Sequence, residues 1–309
     1  MGLILLNKKP GITSFDALHE IKRALGTGKV GHTGTLDKFA QGLLLVLTGR
    51  ALKLTRWFTN CDKQYLGKIR FGQETDTLDP EGEIIAEAPL PSREQVESVL
   101  KKFSGNIKQE PPVYSAIHIN GKRASQLARE GKIPEMKKRP VTIYKLELLN
   151  WEPPFAEIFV HCSSGTYIRS LTRDIALAAG SRAHLVSLTR TQVAGFKLES
   201  REQRAESSEP ISSLLPAHCS LPIDKSVIST LGLPWFEIAP CDVQKIIHGK
   251  PLTPILDGLT LFEPAVTCAR TEGSMLPVTC SAAVFAGEIL VAVVEKKGDV
   301  WKYGAVLQQ

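Results

Sequence analysis

Leu43 to Leu47 reads Leu-Leu-Leu-Val-Leu, an unbroken apolar run with Gly42 just before it and Gly49 shortly after. The run is too short for a helix and leaves no polar side to face water. It fits a central strand buried on both faces of a sheet. Such a strand needs layers of other elements above and below it, which places the chain in the mixed α/β class. With 309 residues there is room for roughly two domains. Hydrophobic residues at 43% and charged residues at 23% match an ordinary globular chain and exclude a disordered or collagen-like one.

The flanking segments carry their own signals. Gly2 to Leu6 predicts a short buried strand before the turn Lys9-Pro10-Gly11. Thr13 and Asp16 have capping-box spacing ahead of a helix with Leu18, Ile21 and Leu25 on one face, ended by Gly26. Gln64 to Phe71 reads as a strand with Tyr65 near its start, and Ser92 with Gln95 opens a short helix through Phe103. Val141 to Trp151 and Ala156 to Cys162 form a β-hairpin pattern. Thr166 to Ala179 is helical, with Ile168, Leu171, Ile175 and Ala179 on one face and Arg169 and Arg173 on a neighbouring one. His184 to Val193 adds a further strand. From Glu199 to Pro222 the chain turns to Glu, Ser, Arg and Pro, a weakly structured linker with a helical piece around Leu214. Short strands and turns from Leu231 to Leu307, such as Glu288 to Val294 and Trp301 to Val306, predict a small β-barrel module.

The formal net charge is +6. Gly121 to Pro140 holds Lys122, Arg123, Arg129, Lys132, Lys137, Lys138 and Arg139 against Glu130 and Glu135, so most of the excess sits in one segment. That segment is either a solvated loop or a surface for an anionic partner. Six cysteines occur, none as a Cys-x-x-Cys pair, so a metal site is not expected and a reduced cytoplasmic protein fits best. The apolar run Leu3 to Leu6 is too short for a signal peptide or a membrane span.

Gly31-His32-Thr33-Gly34-Thr35-Leu36-Asp37 is the most informative stretch for chemistry. Two glycines allow close approach of a ligand backbone, and an imidazole, two hydroxyls and a carboxylate share one loop. On spacing alone the loop is equally a turn in which Asp37 caps a neighbouring group. The glycines lack the G-x-x-x-x-G-K pattern of a triphosphate cradle, and no nucleotide-cofactor fingerprint occurs.

The chain resembles the TruB family of pseudouridine synthases over nearly its whole length. Gly31 to Asp37 matches that family's catalytic loop at every position. Asn7-Lys8-Lys9-Pro10-Gly11-Ile12-Thr13-Ser14 is similar to its N-terminal motif, and Asp62-Lys63-Gln64-Tyr65 to the motif of the active-site tyrosine. Pro111-Pro112-Val113-Tyr114-Ser115-Ala116, Gly121-Lys122-Arg123 and Ala128-Arg129 resemble the family's thumb-like insertion. Cys162-Ser163-Ser164-Gly165-Thr166-Tyr167-Ile168-Arg169 resembles the motif of the active-site arginine. The chain departs from the pattern at Lys38-Phe39, where the family usually has proline after the catalytic Asp, and at His118 and Ser125, where lysine and tyrosine are common.

The resemblance implies an α/β catalytic domain on a mainly antiparallel sheet over residues 1–222, with an RNA-binding insertion at about 111–140. A small PUA-like β-barrel would follow at 231–309. It implies isomerisation of uridine to pseudouridine at position 55 in the T-loop of tRNA, with the target base flipped out. Asp37 would be the nucleophile, attacking either the sugar C1′ or the uracil C6. Arg169 would hold it ionised and oriented, and Tyr65 would stack on the uracil and act as base or proton relay. His32 would intrude into the RNA loop; Lys8, Tyr167, Leu188, Lys122, Arg123 and Arg129 would bind substrate. The bland readings are a strand aromatic at Tyr65, a surface arginine at Arg169 paired with Asp174, a structural His32, and core packing for Tyr167 and Leu188. No cofactor, metal or obligate protein partner is expected, and a monomer is. The rival readings are an RNA-guided catalytic subunit, whose relatives lack the insertion, and a non-catalytic RNA-binding or RNA-folding protein on the same fold.

Overall fold

The structure is a computed structural model that describes residues 1–132, 134–198, 220–264 and 281–307. The linker expected at 199–222, with its helical piece at Leu214, falls almost wholly outside the described residues.

The chain opens with β1 (Gly2–Lys8), helix α1 (Ala17–Ala24), β2 (Val30–His32) and β3 (Gln41–Thr48). The short helix α2 (Thr55–Thr59) leads to β4 (Lys63–Phe71) and a small hairpin, β5 (Gln73–Thr75) with β6 (Ile84–Glu87). Then come α3 (Arg93–Leu100) and β7 (Gly105–Gln109). The insertion folds as a second hairpin, β8 (His118–Ile119) with β9 (Lys122–Arg123), followed by α4 (Ala124–Arg129). The long strands β10 (Arg139–Glu152) and β11 (Phe155–Cys162), helix α5 (Ile168–Ala178), and β12 (Ala183–Val193) with β13 (Phe196–Lys197) complete the first part.

One nine-stranded sheet organises these elements in the order β1-β3-β12-β4-β11-β10-β7, with β2 also on β3 and β13 on β12. Every pairing is antiparallel except β12 with β3. Strand β3 is buried at every position but Gln41, as its apolar run requires. Its period of two divides the work. Leu44 and Val46 pack on Leu18 and Ile21 of α1, and Leu43, Leu45 and Leu47 face the opposite layer with Leu54 and Phe58. Gly42 has φ +101°, and a Cβ there would lie 2.4 Å from the Arg190 carbonyl oxygen, so only glycine lets β3 and β12 approach at their parallel bridge.

Local signals set the ends of helices. Ser92 and Gln95 form the expected capping box at α3. Thr13 and Asp16 exchange the equivalent bonds one turn ahead of α1. Leu25 departs from expectation: α1 ends at Ala24, Gly26 turns the chain at φ +59°, and the Leu25 side chain is exposed.

The C-terminal segment gives β14 (Trp235–Glu237), β15 (Leu261–Phe262), β16 (Ser281–Ala286), β17 (Ile289–Lys297) and β18 (Val300–Val306). They form a five-stranded sheet in the order β15-β14-β16-β17-β18. Among the described residues this sheet is not closed into a barrel. One apolar cluster runs across the expected domain boundary, joining Leu43, Leu45, Leu54 and Phe58 to Phe285, Val293 and Leu307. Polar contacts follow the same seam: Lys53 donates to the Val306 carbonyl at 2.8 Å, and Arg56 pairs with Glu295 at 2.7 Å. Among the described residues no helix is long and apolar enough to cross a membrane.

Candidate active site

The loop after β2 is held from three sides. Thr33 N–H donates to the Leu45 carbonyl at 3.0 Å, continuing the β2–β3 ladder. Buried Ser14 accepts the Leu36 N–H at 2.8 Å and donates to the Leu36 carbonyl at 2.9 Å. Lys8 is only 1% exposed, and its ammonium donates to the carbonyls of Ile12 and Ala40 at 2.7 Å each, Lys9 at 3.0 Å and Lys38 at 3.3 Å. Those bonds tie the 9–12 turn to the 38–40 turn on either side of Asp37. Lys8 therefore ties the loop in place from within the chain. Burial lowers its pKa to about 8, against the opposing pull of Asp37.

The turn after Asp37, where Lys38 stands, is closed by backbone hydrogen bonds. The Lys38 carbonyl accepts Gly11 N–H at 2.8 Å, and Ala40 N–H closes onto the Asp37 carbonyl at 3.1 Å. The Lys38 side chain pairs with Glu81 at 3.4 Å, an exposed contact of small energetic weight.

Arg169 stands in the first turn of α5, whose start is clamped by Gln109: its amide bonds the Tyr167 N–H at 2.8 Å and the Tyr167 carbonyl at 3.1 Å. The guanidinium is 5% exposed and fully engaged at its tip. Nη2 donates to Asp37 Oδ1 and to the Tyr114 carbonyl, both at 3.0 Å; Nη1 donates to the Thr77 carbonyl at 2.8 Å and to Asp79 Oδ2 at 3.1 Å. Arg169 thus bridges two carboxylates, and Asp174 pairs instead with Arg173 at 2.8 Å. Asp79 is buried and engaged, whereas the Asp37 side chain remains 36% exposed. Burial pushes the Asp37 carboxyl up, Arg169 pulls it down, and the Asp79 and Glu81 charges add to the upward side; the balance is upward.

Tyr65 lies on β4 between Val160 of β11 and Arg190 of β12, in one apolar cluster with Leu36, Ile168 and Leu188. Burial pushes its hydroxyl up to about 12, against the opposing pull of the Arg190 charge on the neighbouring strand. A phenol held this firmly neutral keeps its proton and can donate it in a hydrogen bond. His32, on β2, is lowered by burial and by the Arg190 charge, so its imidazole is neutral. Its Nδ1 is buried without a hydrogen-bond partner among the described residues. Lys122, Arg123 and Arg129 lie on the exposed side of the insertion, with Lys122 paired to Glu130 at 3.2 Å.

The structure therefore brings Asp37, Arg169 and Tyr65 into one neighbourhood with Lys8 beneath it. Two buried members were not singled out from sequence. Asp79 sits in an aperiodic loop, and Arg190 reads as one more residue of a strand; only Asp79's acidic neighbours hint at a site.

The family described as TruB family pseudouridylate synthase (N terminal domain) matches residues 22–168. The tRNA pseudouridine synthase B of Borreliella burgdorferi strain ZS7 is 46% identical over 201 residues, covering 64% of this chain and 71% of that protein. The tRNA pseudouridine synthase B of Francisella tularensis subsp. tularensis is 47% identical over 200 residues, covering 64% and 66%. In fold, the chain is similar to one in the crystal structure of a Cbf5-Nop10-Gar1 complex, with a TM-score of 0.68 at 24% identity over 99% of this chain and 85% of that one. On the sequence identity and the share of each chain it covers, this protein belongs to the TruB family of pseudouridylate synthases.

Proposed function

We propose that this protein isomerises uridine to pseudouridine in tRNA, at position 55 of the T-loop, with Asp37 as nucleophile. The observation that carries the reading is the Arg169 bridge: one buried guanidinium holds a buried carboxylate, Asp79, on one side and a solvent-reachable carboxylate, Asp37, on the other. A carboxylate so fixed is oriented without being sealed from substrate, as covalent catalysis at a base or sugar requires.

In this account Asp37 adds to the uridine as the C1′–N1 bond breaks, the base turns and rejoins through C5 as Asp37 is released, and the proton lost from C5 is matched by one gained at N1, with no redox change. Tyr65 stacks on the uracil and its neutral hydroxyl relays the proton. His32, neutral and carrying an unpartnered buried nitrogen, enters the RNA loop and bonds a base edge. Tyr167 and Leu188 wall the pocket. Lys122, Arg123 and Arg129 follow the RNA phosphates. Because the insertion touches Arg169 through the Tyr114 carbonyl, RNA engagement and nucleophile orientation share a contact.

The insertion supports an enzyme that recognises its RNA alone, without guide RNA or obligate protein partner, as a cytoplasmic monomer. The C-terminal sheet is a PUA-like RNA-binding module in this reading. The test is position-resolved pseudouridine mapping of an unmodified tRNA transcript incubated with purified protein in excess EDTA. Conversion confined to position 55 is the expected result. Conversion at other sites only, or none without an added guide RNA, would overturn it.

A further inference from the structure

Arg190 is 2% exposed, in the middle of the main sheet, and its bonds run to carbonyls rather than to a carboxylate. Nε donates to the Leu43 carbonyl at 2.7 Å and Nη2 to the Gly34 carbonyl at 3.0 Å. Gly34 lies inside the Gly31–Asp37 loop. Backbone geometry reinforces the placement: Arg190 is registered opposite both Gly42 of β3 and Tyr65 of β4. The glycine at position 42 is required by the Arg190 backbone itself. A charged side chain this buried is costly unless its donors are used, and here the fork is spent on the Leu43 carbonyl of one strand and the Gly34 carbonyl of one loop, next to Tyr65 across the strand pair.

We infer that Arg190 is a positioning residue for the reaction: its guanidinium fixes the Asp37 loop through Gly34 and holds the Tyr65 hydroxyl in register with it. Two groups that must act on one uridine are thereby referenced to a single rigid fork on a central strand. The Arg190 charge also reaches His32, Lys8 and Lys63, whose pKa values burial lowers and Arg190 lowers further. The inference rests on the proposed roles of Asp37 and Tyr65.

The test is a double-mutant cycle with Arg190→Lys, which keeps the charge and loses the fork, in the wild-type and Tyr65→Phe backgrounds. Single-turnover rates are measured at saturating T-arm stem-loop, with stem-loop affinity and thermal melting beside them. Arg190→Lys is expected to bind RNA within about threefold of wild type and to lose about 10²-fold in rate, the scale of a small misplacement of a reacting group. In the Tyr65→Phe background the same substitution should cost less, because the hydroxyl it positions is gone and only the anchoring of the Asp37 loop through Gly34 is left to lose. Equal losses in both backgrounds, or a rate loss accounted for by weaker RNA binding, would overturn the inference. A second measurement needs no change at Arg190: in 15N-arginine spectra, Tyr65→Phe should move the Arg190 side-chain resonances, and unmoved resonances would overturn it as well. Wild-type rates for both Asp37→Asn and Tyr65→Phe would instead overturn the reading of the site itself.

Discussion

Replacing Asp79 by asparagine removes one charge from the far side of Arg169 and keeps the shape of the side chain. Asp79 accepts three bonds, from Arg169 Nη1 at 3.1 Å, Thr77 Oγ1 at 2.6 Å and the Glu81 N–H at 3.0 Å. Asparagine has one acceptor oxygen, so either its NH2 faces the guanidinium or it faces the Thr77 and Glu81 donors. Removing one member of a buried ion pair costs about 3–5 kcal/mol when nothing compensates. Arg169 keeps Asp37 and two carbonyls, which puts the expected loss nearer 2–3 kcal/mol, or roughly 5–10 °C of melting temperature. The single-turnover rate should fall about 10²-fold as Arg169 loosens around Asp37, with stem-loop affinity little changed. The pH profile should move in the opposite sense to the loss of activity. The Asp79 charge raises the Asp37 carboxyl, so its removal lowers that pKa and shifts the acid limb to lower pH. Release of tritium from C5-labelled uridine measures both quantities. Unchanged melting with a rate within twofold of wild type, or an acid limb moved upward, would refute the claim that Asp79 anchors and tunes the pair.

Tyr65→Phe keeps the stacking face and removes the hydroxyl; it should bind RNA normally and stall after the base is detached, and wild-type rates would reduce Tyr65 to a platform. Replacing Lys122, Arg123 and Arg129 together by Ala should flatten the slope of log affinity against log salt by roughly two units and spare the saturated single-turnover rate. An unchanged slope would make the segment a solvated loop. Lys8→Met strands the carbonyls of Ile12 and Ala40 that now accept at 2.7 Å, and should cost about 2–5 kcal/mol by denaturant unfolding as well as most of the rate. Native melting for that variant would contradict its role in fixing the loop.

The elements most legible in the sequence were those whose signal is local. The Leu43–Leu47 run announces a strand buried on both faces, and Ser92 and Gln95 announce a helix start. Leu25 misleads because periodicity does not show where the helix stops, and Gly26 ends it before that position can turn inward. Asp79 and Arg190 were illegible for a different reason. Neither lies in a pattern that marks a site, and burial of a charge arises only when distant strands and loops converge on it. Lys8 was legible as part of a motif, whereas its hydrogen bonds were not, since only the folded chain brings the carbonyls of Ile12, Lys38 and Ala40 to one ammonium. In the C-terminal part, strand spacing signals a sheet, whereas closure depends on pairings that spacing does not encode.

The measurement that bears most directly on the central claim is the single-turnover conversion of a T-arm stem-loop by Asp37→Asn beside wild type, with RNA affinity measured on the same preparations. Asparagine preserves shape and can still meet Arg169, but it cannot act as a carboxylate nucleophile. The account predicts a rate lower by several orders of magnitude at an affinity within about threefold, since binding rests on phosphate contacts and loop shape that the substitution spares. A folded Asp37→Asn protein that forms pseudouridine at a rate near wild type would contradict it.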